Sequence, residues 1–131
     1  NENYLDSAVV YYKRVESFPA LNKDIELIKA KAFNSLSGIY EFNSNYEKAE
    51  DYVLKAIKVY KENNNTRGGA LALNNLGNIF ISQEKFKKAK SIYLQALKLI
   101  KNNKRINKKL IISKRQFMEE DTDFLFIFKH K

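Results

Sequence analysis

Apolar residues recur along this chain at the three- and four-residue spacing of a helix, and short polar clusters interrupt them. Tyr4, Leu5, Ala8, Tyr11, Tyr12 and Val15 open the pattern, which stops before Pro19. Phe33, Leu36, Ile39 and Tyr40 mark the next helix, Asn43-Ser44-Asn45 a turn, and Tyr46, Ala49, Val53, Ala56, Ile57 and Tyr60 the helix after it. Asn63-Asn64-Asn65-Thr66 and then Gly68-Gly69 predict a break. Beyond it, Leu73, Leu76, Gly77 and Phe80 precede the polar Ser82-Gln83-Glu84-Lys85, and Phe86, Ala89, Ile92, Tyr93, Ala96, Leu97 and Ile100 follow. Turns this short join helices only as antiparallel hairpins. The pattern predicts an all-α chain with helices over about 3–18, 23–43, 46–63, 67–82, 86–102 and 105–119.

The two hairpins are copies of one another. A shift of 40 residues superposes Ala30 on Ala70, Asn34 on Asn74, Leu36 on Leu76, Ile39 on Ile79, Ala49 on Ala89, Leu54 on Leu94 and Ala56 on Ala96. Phe33 meets Leu73, Tyr40 meets Phe80 and Tyr46 meets Phe86, so size and polarity match where identity does not. Gly77, Ala89 and Ala96 suit close helix approach, with large aromatic residues filling the space beside them.

This arrangement resembles the tetratricopeptide repeat, whose small and large positions run apolar, Leu-Gly, aromatic, then Ala, aromatic, Ala. The second unit has Leu73, Leu76-Gly77, Phe80, Ala89, Tyr93 and Ala96; the first has Phe33, Leu36-Ser37, Tyr40, Ala49, Val53 and Ala56. Ser37 for Gly and Val53 for an aromatic depart from the pattern. The long period and Ala72-Leu73-Asn74-Asn75-Leu76-Gly77-Asn78 are similar to the branch that includes kinesin light chains and bacterial signalling arrays. The resemblance implies one domain over 1–131: a second-type helix of a partial repeat at 3–18, repeats at 30–63 and 70–103, and an atypical cap and tail at 104–131.

It also implies a right-handed superhelix whose concave surface, lined by the first helix of each pair, binds a peptide or protein. Carried over, the inward positions are Lys31, Asn34, Ser35, Gly38 and Glu41, then Leu71, Asn74, Asn75, Asn78 and Ile81. Asparagine suits such a surface because its amide both donates to and accepts from a peptide backbone. Asn75 and Asn78 equally suit a second role, tying neighbouring helices together. The family variant that grips a C-terminal carboxylate does not match, since Leu71 replaces the lysine that Lys31 would supply in the first unit.

Composition narrows the chemistry. The chain has no cysteine and one histidine, His130, so thiolate or paired-histidine metal sites and a Ser-His relay are not expected. Glu47, Glu50 and Asp51 read as a solvated first helical turn, Gly68-Gly69 lacks the context of a phosphate loop, and no cofactor or enzymatic activity is expected. No apolar run reaches the length of a membrane span.

The net charge of +9 is carried by the C-terminal part, where twelve basic residues and no acidic one lie between Glu84 and Glu119. Lys85, Lys87, Lys88, Lys90, Lys104, Arg105, Lys108 and Lys109 therefore form an alternative site, for nucleic acid or an acidic partner. Against nucleic acid, Phe86 and Tyr93 belong to the core and leave few rings for base stacking. Phe124-Leu125-Phe126-Ile127-Phe128 is apolar on every side and calls for cover, either by folding back onto the chain's own last hairpin or by a homodimer contact. Asn1 in place of an initiator Met suggests a piece of a longer protein, for which a structural or oligomerisation role is a third possibility. The cytoplasm is the nearer expectation for location.

Overall fold

The computed structural model describes residues 2–102, with side chains from residue 6 onward. They form five helices: α1 (Glu2–Glu16), α2 (Lys23–Phe42), α3 (Tyr46–Glu62), α4 (Thr66–Ser82) and α5 (Phe86–Lys101). Among the described residues there is no strand. The expected helix at 105–119 and the apolar tail at 124–128 lie outside them.

The chain divides into two compact units, Asn1–Asn65 and Thr66–Lys131. In the first, α2 and α3 form a hairpin and α1 packs on α2; in the second, α4 and α5 form a hairpin.

Local chemistry sets the helix ends. α1 stops three residues before Pro19, and the Ser17 hydroxyl donates to the Arg14 carbonyl at 2.6 Å. α2 begins after Asn22, whose side chain accepts from the Ile25 N–H at 2.9 Å, with Asp24 and Glu26 in the positive first turn. Asn45 caps α3 in the same way through the Lys48 N–H.

The three turns that follow α2, α3 and α4 share one motif. The N–H of Asn45, Asn65 and Lys85 donates back to the carbonyl of Tyr40, Tyr60 and Phe80 at 2.8 Å in each case. The residue before each donor, Ser44, Asn64 or Glu84, is left-handed, with φ of 62°, 53° and 59°. This corrects one expectation: the break after α3 falls at Asn63–Asn65, and Gly68 and Gly69 lie buried inside α4. No glycine is needed to end α3, because Asn64 itself adopts the left-handed conformation.

Burial follows the repeat. Ala30, Ala32, Phe33, Leu36, Ser37, Ala49, Val53, Ala56 and Tyr60 are buried, and so is the residue 40 positions after each of them. Ala49, Ala56, Ala89 and Ala96 have no exposed surface, so each second-type helix approaches through alanine. The outer faces match as well: Leu54 and Leu94 are 45% and 47% exposed.

Candidate functional site

The row of first-type helix positions stays outside the fully buried hairpin core in both units. Lys31 and Gly38 on α2 are exposed, and Asn34, Ser35 and Glu41 are half-buried. On α4, Leu71 is 42% exposed, while Asn74, Asn75, Asn78 and Ile81 are half-buried. A Cβ added at Gly38 would meet nothing within 4 Å, so no packing requires glycine there. Asn34, Glu41 and Asn75 each make an interaction within the protein. The Asn74 Oδ1 is buried without a hydrogen-bond partner, an acceptor whose lost hydration costs about 1–3 kcal/mol.

Asn78 takes the structural role. Its Oδ1 accepts from the Tyr93 hydroxyl, which ties α4 to α5. Beside it, a Cβ at Gly77 would lie 2.7 Å from Cδ1 and 2.8 Å from Cζ of Tyr93, so the ring occupies the space a side chain would need.

In the first unit these three positions change together. Ser37 stands for Gly77, Gly38 for Asn78 and Val53 for Tyr93. The smaller valine leaves room for the serine Cβ, and the Ser37 hydroxyl is satisfied by donating to the Ala49 carbonyl at 2.7 Å. With no phenol to receive, no amide is needed at Gly38. The two departures from the repeat pattern thus compensate one another.

The first unit holds a second cluster. Tyr52 stacks on Tyr40 with centroids 5.7 Å apart, and on Phe33 at 6.1 Å. Lys55 Nζ lies 5.0 Å from the Tyr52 ring centroid and 5.7 Å from that of Phe33, and it pairs with the Glu16 carboxylate at 3.5 Å. The Tyr52 hydroxyl donates to Glu16 at 3.2 Å, fixing the end of α1 against α3. Burial, and then the Glu16 charge, push the Tyr52 phenol up to about 12 from 10.0. Burial also raises the Tyr60 phenol. Sequence reading placed Tyr40 and Tyr60 on the helical pattern but singled out neither Tyr52 nor its partners Glu16 and Lys55. No local signal marks this cluster, because Tyr52 and Glu16 lie 36 residues apart along the chain.

The basic alternative is partly in view. Lys85, Lys87 and Lys88 are exposed and Lys90 is half-buried, whereas Lys104, Arg105, Lys108 and Lys109 lie outside the described residues. Lys88 sits 5.8 Å from the Phe80 ring centroid, as Lys48 sits 5.3 Å from that of Tyr40 one repeat earlier. α5 has no acidic residue in its first turn, and Lys85, at the position of Asn45, gives it no side-chain cap. Among the described residues, no helix is long and apolar enough to cross a membrane.

A family model described as tetratricopeptide repeat matches residues 29–102, more than half of the 131-residue chain. No curated protein and no solved structure matches the chain significantly. The matched span covers both hairpins and the paired alanines, aromatics and Leu76-Gly77 that pack them. With two hairpins in the same register of buried positions and this match across them, the chain belongs to the tetratricopeptide repeat family, whose members typically serve as non-enzymatic protein–protein interaction modules.

Proposed function

We propose that the chain binds a peptide or protein segment along the exposed face of its first-type helices, the face that lines the inner surface of the family's stacked arrays. The observation that carries this reading is that both hairpins leave the same row outside their cores, from Lys31 to Glu41 and from Leu71 to Ile81. The row offers what a backbone-reading surface needs: exposed Leu71 for an apolar contact, Lys31 and Glu41 for charge, and half-buried amides at Asn34 and Asn75. Asn78 supports the surface from behind by holding Tyr93.

Titration of the full chain against a peptide library by fluorescence anisotropy tests the reading. A binder should appear, and Leu71→Glu and Lys31→Glu should each weaken it about tenfold or more with helicity unchanged. Finding no binder, or a binder indifferent to both substitutions, overturns the proposal.

A second reading, binding of an acidic partner or nucleic acid through the basic segment, draws on α5, whose Lys87, Lys88, Lys90, Lys98 and Lys101 are balanced by no acidic residue. Retention of RNA or DNA on filters at low salt, lost steeply as salt rises, would favour it. No retention at low salt removes the nucleic-acid form.

A further inference from the structure

The outer face of α3 carries a charge pattern that its own helix explains only in part. Glu47, Glu50 and Asp51 stand on the stripe that also holds Leu54, Lys58 and Lys61, opposite the buried Ala49, Val53, Ala56 and Tyr60. All the acidic members precede Leu54, and both basic members follow it. The helix dipole favours that polarity only within the first and last turns, which leaves Glu50, Asp51 and Lys58 outside its reach. Within the stripe like charges neighbour one another, Glu47 with Glu50 and Asp51 and Lys58 with Lys61, while Asp51–Lys55 and Lys58–Glu62 are opposite charges four residues apart. The Lys55–Glu16 ion pair uses none of these groups.

The pattern is complementary to itself. Two copies of α3 laid antiparallel about Leu54 bring Glu47 level with Lys61 and Glu50 level with Lys58 of the other copy. Symmetry makes each pair twice. Leu54, 45% exposed in the single chain, meets its own counterpart at the centre. α5 is the built-in control: the same scaffold places Lys87, Lys90, Lys98 and Lys101 around Leu94, so two copies of that face set lysine against lysine.

We propose that the outer face of α3 is a self-association surface, pairing antiparallel with α3 of a second copy of this chain around Leu54. This surface is separate from the first-type helix row and does not depend on that row binding a peptide. The stripe from Glu47 to Lys61 is about 21 Å long. A contact between two single helix faces is smaller than the roughly 1,200 Å² of a stable interface, so the dimer forms at high micromolar concentration. Because Glu47, Lys58 and Lys61 are exposed and Glu50 only half-buried, it dissolves as salt rises from about 0.02 M to about 0.5 M.

Charge exchange tests this on the full chain. Sedimentation equilibrium at low salt and high micromolar concentration should show a mass rising toward twice the 15.3 kDa monomer. Glu47→Lys/Glu50→Lys makes one face wholly basic beyond Asp51, and Lys58→Glu/Lys61→Glu makes another wholly acidic. Each variant alone should dimerise about tenfold or more weakly, and an equimolar mixture should recover a heterodimer at least as tight as the native dimer. Circular dichroism checks that each remains helical, and the mixing arm keeps the test decisive if one variant is less stable. Lys87→Gln/Lys90→Gln on α5, which leaves that face without an acidic residue, should dimerise like the native chain. A native chain that stays monomeric under these conditions overturns the proposal. So does a dimer indifferent to both α3 variants, a mixture that fails to associate, or loss of the dimer on changing α5.

Discussion

A serine at position 77 would meet the Tyr93 ring, whereas the serine at position 37 is buried with its hydroxyl donating to the Ala49 carbonyl, in the unit where Val53 stands at the position of Tyr93. Gly77→Ser should therefore cost about 1–3 kcal/mol in urea denaturation, and adding Tyr93→Val should recover part of that loss rather than deepen it. Purely additive effects would show that the pair is uncoupled. A second residue-scale consequence concerns pH. The Tyr52 phenol titrates near 12 in the folded chain against 10.0 in the unfolded one, so the stability it contributes is complete below pH 10 and is lost as pH rises from 10 toward 12. Tyr60 acts in the same direction through burial. Thermal unfolding followed above pH 10 should show this decline, and Tyr52→Phe should make it shallower. The first-type helix row was carried over from the family resemblance, and the structure leaves those positions outside the buried hairpin core. The sequence did not show that Asn78 is bound by Tyr93, nor that Ser37 and Val53 compensate, because both depend on contacts across a hairpin rather than along it.

Helices and turns were more legible, since their signals are local. Expected spans of 23–43, 46–63 and 86–102 correspond to Lys23–Phe42, Tyr46–Glu62 and Phe86–Lys101, with asparagine caps at Asn22 and Asn45 marking two of the starts. Gly68-Gly69 misled because glycine signals a break only where the backbone turns left-handed, and here Asn64 makes that turn. Two substitutions follow from the shared turn motif. Glu84 holds a φ of 59°, a conformation that costs a residue with a Cβ about 1–2 kcal/mol, so Glu84→Gly should stabilise the α4–α5 hairpin by up to about 1 kcal/mol. Lys85→Asn should add about 1 kcal/mol by supplying the cap that Asn45 gives α3 and α5 lacks. Denaturant midpoints at constant m-value would check both; a fall in either midpoint would mean that the turn is held by contacts other than these.

For the molecule as a whole, the unit boundary between Asn65 and Thr66 falls between hairpins, whereas the Ser37–Val53 and Gly77–Tyr93 relations run inside them. Exchanging residues 66–101 for 26–61 as a block should leave a hairpin that still folds cooperatively. Exchanging only 86–101 for 46–61 should cost about 2–4 kcal/mol, because it sets Val53 opposite Gly77 and leaves Asn78 without its donor. Equal stability of the two chimeras, measured by urea unfolding, would count against this. The same asymmetry bears on how such a gene can change. Crossovers between the two similar stretches of coding sequence are harmless when they join them at the Asn63–Asn65 connection. A crossover at Asn43–Asn45 unites Ser37 with Tyr93, or Gly77 with Val53, and its product starts life either overpacked or hollow. Duplication and loss in this lineage should therefore proceed by whole hairpins, with the three-position sets inherited intact.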